Sequence, residues 1–215
     1  MKKLIKDLYF PTPVYTVFDD SFVEDLTKIT DPYIEKSREY LKKDIELTND
    51  FGMSYSSSSL IPNQETIDFQ KIIFDTANTI MNDMGYDLTN YQMFINELWV
   101  QEFAKNGGGH QSVHNHWNGH VSGFYFLKAG KLTSQPVFHD PRIAKTMNDL
   151  PLLDKKQINE AQGLIHYSVE PGTMIFFPSW LHHSFSVDSG KQPFRFIHWN
   201  IQAVNIGVFE HATQK

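Results

Sequence analysis

The chain has 215 residues, a formal charge of -6 and no cysteine, which excludes disulfides, thiolate metal sites and a thiol nucleophile. Its 25 Asp and Glu against 19 Lys and Arg give no support to a nucleic-acid surface, because phosphate neutralisation needs clustered cations; a small-molecule or peptide partner fits better. With 40% hydrophobic and 14% aromatic residues the length suits one well-filled core, and a single domain over 1–215 is expected.

The amino-terminal stretch MKKLIKDLYFPTP has only isolated apolar residues, whereas a secretory core needs about 7 to 15 in a row. Nothing approaches the roughly 20 apolar residues of a membrane helix, so a soluble, cytoplasmic protein without membrane contact is expected. PVYTVFDD (13–20) is β-branched and aromatic and predicts a first strand. From Ser21 to about Lys43 the apolar spacing becomes helical, and Asp31-Pro32 predicts a break into two pieces. NDFGMSYSSSSL is small and polar and predicts a loop lying over the body. In QETIDFQKIIFDTANTIMNDMG, residues Phe69, Ile72, Ile73, Ala77, Ile80, Met81 and Met84 fall at helical spacing, with Gly85 as the C′ stop.

From residue 90 the signal changes to strands. NYQMFINELWVQEFA, HVSGFYFLKAG, QPVFHD, GLIHYSVE, TMIFFPS, HSFSVD and PFRFIHWNIQAV predict short strands separated by turn residues, with an irregular insert from Pro141 to about Ala161. Such spacing indicates an antiparallel sandwich or barrel. Helices first and strands later predict helices packed on the outside of one sheet.

Four of the ten histidines lie in HQSVHNHWNGH. In an extended segment, residues i and i+2 share a face, so His114 and His116 would converge and offer two imidazole ligands. A third ligand must come from elsewhere, and PGTMIFFPSWLHHSFS supplies His182 and His183 after a hydrophobic strand. His110 and His120 are weaker: His120 would meet His116 only on a helix, and VSGFYFL after it is strand-like. His139, His166, His198 and His211 are read as structural or solvated.

These residues resemble a known family. HNHWNGHVSGFYFL is similar to the H-x-H-x5-S-G-x-Y-Y-L signature of a family of 2-oxoglutarate/Fe(II)-dependent oxygenases, and PGTMIFFPSWLHHS to its P-G-x-x-x-x-F-P-S-x-L-x-H-S signature. FPTPVY, NDFGMSYSSSSL, ELWVQEFAKNG and FHDPR extend the resemblance over most of the chain. It implies a mainly β fold with some α, a double-stranded β-helix (jelly roll, cupin-like) with the amino-terminal helices packed on one sheet.

Carried over by motif, His114, His116 and His183 are the metal ligands, with His116 where a carboxylate usually stands. His182 should point to the other side of its strand. The implied cofactors are Fe(II) and the co-substrate 2-oxoglutarate, with O2 as the oxidant, hydroxylation as the reaction, and succinate and CO2 released. Three imidazoles also match a common catalytic zinc set. Arg195 is the implied anchor for the distal carboxylate of the co-substrate, twelve residues after the distal histidine (195 − 183), because a guanidinium fork binds a carboxylate bidentately.

The family pattern has six steps from this arginine to an asparagine. Here Arg195 to Asn200 is five (200 − 195), Ile197 replaces a serine, and a one-residue slip reverses the face of a strand. Arg142 and Lys191 therefore stay as alternatives. Tyr125 is a further co-substrate contact, and Trp99 and Gln101 are candidates to line the pocket; Ser122 and Gly123 are read as structural. Two other readings stay open, a cupin-like three-histidine metal enzyme that does not use 2-oxoglutarate and a non-catalytic jelly-roll module. A homodimer is a candidate assembly.

Overall fold

The computed structural model describes residues 4–44 and 49–207. Strand β1 (Tyr15–Phe18) leads into helix α1 (Val23–Asp44), the short strand β2 (Ser54–Ser56) and helix α2 (Ile67–Asp83). Eight strands follow: β3 (Tyr91–Phe103), β4 (Gln111–His114), β5 (Val121–Lys128), β6 (Pro136–His139), β7 (Leu164–His166), β8 (Thr173–Pro178), β9 (His183–Phe185) and β10 (Phe194–Asn205). The insert after Pro141 holds one 3-10 turn, Ile143–Asn148, and is otherwise irregular.

Helix α1 is continuous where the sequence predicts two pieces, with Pro32 inside it. A proline there removes one backbone hydrogen bond and costs about 3 kcal/mol. Leu26 and Ile34, one on each side of Pro32, are fully buried against the sheet, and burying each contributes roughly 1.5–3 kcal/mol. Packing therefore outweighs the break. Helix α2 buries Phe69, Ile73, Ala77, Ile80 and Met81. It ends as its glycine predicts: Gly85 takes φ 85°, its N–H donates to Asn82 O (2.9 Å) and that of Tyr86 to Met81 O (3.1 Å), the Schellman closure. The serine-rich segment is a loop except for β2, whose Tyr55 is buried.

Two antiparallel sheets form the body, with orders β1-β8-β5-β10-β3-β2 and β4-β9-β6-β7. This is a double-stranded β-helix with both helices against the larger sheet. Alternation along β10 divides the core in two. Ile197, Trp199 and Ile201 join the cluster beneath α1 and α2, whereas Phe194 and Phe196 pack between the sheets with Phe103, Phe124, Phe126 and Phe185. Gly123 allows the close approach of β5 and β10, since a Cβ there would lie 2.3 Å from the Trp199 ring.

Candidate metal centre

The register of the smaller sheet builds the centre. β4 runs antiparallel to β9 with His114 directly opposite His183, and their ring centroids are 4.3 Å apart. β4 ends at His114, so His116 is placed by a backbone bond instead: its N–H donates to Ser179 O (2.8 Å). That turn brings the His116 ring within 5.2 Å of His114 and 5.1 Å of His183. The three expected ligand atoms lie within 4.8 Å of one another. His182 is exposed and points away.

The side chains are arranged as ligands. His183 Nδ1 is 2.9 Å from Leu181 O, and His114 Nδ1 is 2.7 Å from Ser112 O. Each Nδ1 carrying its proton toward a carbonyl leaves Nε2 as a lone pair, the orientation by which ligating histidines are normally held. His116 Nε2 and His183 Nε2 are 3.3 Å apart. Two nitrogens at about 2.0–2.1 Å from a shared tetrahedral ion are separated by about 3.3–3.4 Å, so the cluster fits a divalent cation.

Burial also keeps the imidazoles of His116, His183 and His198 neutral. It lowers His183 to about 3, helped by His114 and His116 and opposed by the Leu181 bond. Burial and then His114 lower His116 to about 4, against the pull of Glu97. His198 is lowered well below its ordinary value, first by burial and then by His116.

Two residues at the centre went unassigned in the sequence. His198, read there as structural or solvated, is 1% exposed and stacks on His116 at 4.5 Å and 27°. Glu97 reaches the same place from β3, and Glu97, His116 and His198 offer ligand atoms that also lie within 4.8 Å of one another. Strand parity was the signal for His198, two residues before Asn200 on one face of β10; Glu97 comes opposite Asn200 only through the pairing of β3 with β10.

The expected co-substrate contacts divide between the two faces. Trp99 lies between the sheets, its ring 4.7 Å from His198. Gln101 shares that face and accepts a hydrogen bond from Gln111 Nε2 (2.5 Å). Arg195 does not reach the centre. It faces α1, where Nε donates to Glu102 (2.7 Å) and the guanidinium also donates to Asp31 (2.6 Å) and Thr30 (3.2 Å). The one-residue slip after the distal histidine is the cause, since neighbouring strand residues face opposite ways.

Tyr125 also faces the helices, its ring 5.1 Å from Phe69 and its hydroxyl donating to Asp19 O (2.7 Å). The two alternatives to Arg195 are elsewhere: Arg142 pairs with Asp140 and Glu160 O, and Lys191 is exposed beside Arg195 on the outer side. Among the described residues the strands hold two cations, Lys128 and Arg195, and both pair with Asp31.

The remaining histidines are peripheral. His110 and His120 are exposed, and His120 Nδ1 accepts from the Ala203 N–H (3.1 Å). His139 contacts Ser184 Oγ (2.9 Å), His166 is exposed, and His211 lies outside the described residues.

Residues 97–196, which contain all three expected ligands, match the family model described as "Putative 2OG-Fe(II) oxygenase". The match spans 100 of the 215 residues (196 − 97 + 1), and over that segment the chain is similar to this family. No curated protein matches the chain in sequence. Solved structures of similar fold include a prolyl-4-hydroxylase from Pseudomonas putida, 12% identical, covering 88% of this chain and 92% of that one at TM-score 0.54. HygX from Streptomyces hygroscopicus, with nickel and 2-oxoglutarate bound, is 10% identical over 89% of this chain and 83% of its own, at TM-score 0.55. The epimerase SnoN, in complex with Fe3+, alpha ketoglutarate and nogalamycin RO, is 13% identical over 90% and 81%, at TM-score 0.54. At these identities the likeness is one of fold. Among the described residues, no helix is long and apolar enough to cross a membrane.

Proposed function

We propose that the chain is a non-haem Fe(II) oxygenase that uses 2-oxoglutarate and O2 to hydroxylate a small molecule or peptide, releasing succinate and CO2. The observation that carries this reading is the convergence of His114, His116 and His183 with two Nε2 atoms 3.3 Å apart. The matched family and the metal and 2-oxoglutarate named for HygX and SnoN support it. When bound, iron and the keto acid would supply the oxidative decarboxylation and the oxidation of a substrate C–H bond. SnoN, an epimerase of similar fold, shows that this architecture hosts more than one outcome.

The chain's own residues hold and orient. Ser112 O and Leu181 O fix the rings of His114 and His183. Three neutral imidazoles leave a divalent ion its full +2 charge, which a dianionic keto acid balances. Phe124 and Phe177, with ring centroids 5.6 Å and 4.7 Å from His183, exclude water from one side of the centre. With Arg195 turned to α1, the donors left on the inner face for the distal carboxylate are neutral: the remaining amide protons of Gln101 and Gln111 beside the Trp99 ring, the first protons of these amides going to Ser54 and to Gln101.

A second reading, a three-histidine metal enzyme that does not use 2-oxoglutarate, is favoured by one observation: both strand cations pair with Asp31 on α1. One experiment decides. Apo protein is loaded anaerobically with Fe(II), titrated with 2-oxoglutarate while its visible charge-transfer absorption is followed, then exposed to O2 and assayed for succinate. An absorption band and succinate are expected. Iron binding with neither response would overturn the first reading and leave the second.

A further inference from the structure

His198 is a buried group that the three-histidine centre does not use. Neither of its ring nitrogens makes a well-aligned hydrogen bond among the described residues; the Gly123 backbone gives the ring only a minor polar contact, and leaving a buried polar group unpaired typically costs about 1–3 kcal/mol. A bound ion is one partner that satisfies a group of this kind. The carboxylate in front of it is positioned with care. Glu97 Oε1 accepts from Asn118 Nδ2 (2.9 Å) and Oε2 from Asn200 Nδ2 (2.6 Å), while Asn200 Oδ1 accepts from Ser122 Oγ (2.5 Å). The carboxylate is thus oriented by two amides and keeps lone pairs free, the way outer partners hold a metal-binding carboxylate. His198 Nε2 lies 3.9 Å from Glu97 Oε2, and donors on one ion are separated by about 3 Å, so a shift of less than about 1 Å would bring both onto it.

We propose that Glu97, His116 and His198 form a second position for a divalent cation, adjoining the three-histidine position and sharing His116 with it. The two sets differ in chemistry. Three imidazoles are a common zinc set, whereas two imidazoles and a carboxylate are the donors that suit non-haem Fe(II). The carboxylate also lowers the net charge of the bound ion from +2 to +1. Because an ion at either position draws on the His116 ring, the cluster holds one ion in two alternative positions. The inference rests on the proposed reading only for the first position and for the sharing. A core-filling role for His198, stacked between His116 and Trp99, predicts no metal response at all.

The test is a titration of the full apo chain with Co(II), read by visible absorption and by stoichiometry. Wild type should bind one equivalent. The His114→Ala/His183→Ala double variant should still bind one equivalent, more weakly and with a changed spectrum, and adding Glu97→Gln or His198→Gln should weaken it a further tenfold or more. A folded double variant that binds no Co(II), or one indifferent to Glu97→Gln, overturns the second position. A double variant that binds as tightly as wild type overturns the three-histidine position instead and leaves the second standing. Should the double variant fail to fold, Glu97→Gln alone decides: it should remove one of two spectral components from the otherwise intact protein, and a spectrum identical to wild type overturns the proposal.

Discussion

The two faces of β10 carry different kinds of polar group and use them for different ends. Toward the helices, Arg195 is locked to Glu102 and Asp31, and Arg38 joins the same Glu102 carboxylate. Every charge there has a partner, and the result ties α1 to the sheet. Between the sheets, His198 makes no well-aligned hydrogen bond among the described residues, and the neighbouring imidazoles keep lone pairs pointed at one another. One face spends its polar atoms on structure; the other leaves them available. The difference separates a buried ion network from a ligand site more sharply than residue type does, since an arginine and a histidine three positions apart on one strand fall on opposite sides of it.

Breaking the paired face should give the largest effect. Arg195→Ala removes one of the two guanidinium partners of buried Glu102, leaving Arg38 and the more distant Lys128, and should cost about 3 kcal/mol of stability, measured by denaturant unfolding, while metal and 2-oxoglutarate affinities of the folded fraction stay at wild-type values. A weakened 2-oxoglutarate affinity would return Arg195 to the site. His183→Ala should lower metal affinity by about 100-fold or more, beyond the 10–100-fold typical of outer-shell changes, with the loss read in an Fe(II) or Co(II) titration.

The pH dependence comes next. His183 and His116 sit at about 3 and 4 when folded, below the ordinary 6.5, so the unfolded chain takes up protons first as pH falls. Apo stability should be complete above about pH 6.5 and drop below it; a fully buried imidazole such as His183 contributes roughly 2 kcal/mol to the loss between pH 7 and 5. Unfolding of apo protein at the two pH values, with His183→Gln as the control that shrinks the difference, measures this. His120→Ala should do least, changing metal affinity by no more than about twofold, because its ring is exposed and bonded to Ala203 rather than to the cluster.

Much of this was legible in the residues. Short apolar runs bounded by turn residues marked every strand from 90 onward except β4, and the H-x-H pair with HHS marked His114, His116 and His183, since ligand motifs are local. Parity was harder to read. Aligning the six-step arginine pattern on Asn200 instead of on Arg195 puts Phe194 in the arginine's place and sends Arg195 outward, as observed. The choice turns on one residue, and the pattern alone does not say which end to fix. Glu97 was invisible for a different reason: it meets Asn200 and His198 only through the β3–β10 register, a tertiary fact. The single helix through Pro32 likewise depends on burial that no local signal carries.

The phenylalanines between the sheets have a consequence for traffic. Phe103, Phe126, Phe185, Phe194 and Phe196 are each nearly inaccessible and pack ring against ring, with Phe185 and Phe196 stacked at 4.5 Å. They plug the roll beyond the histidines, so among the described residues that end offers a guest no way through. The imidazoles therefore stand at a blind end, with a wall of rings at their back.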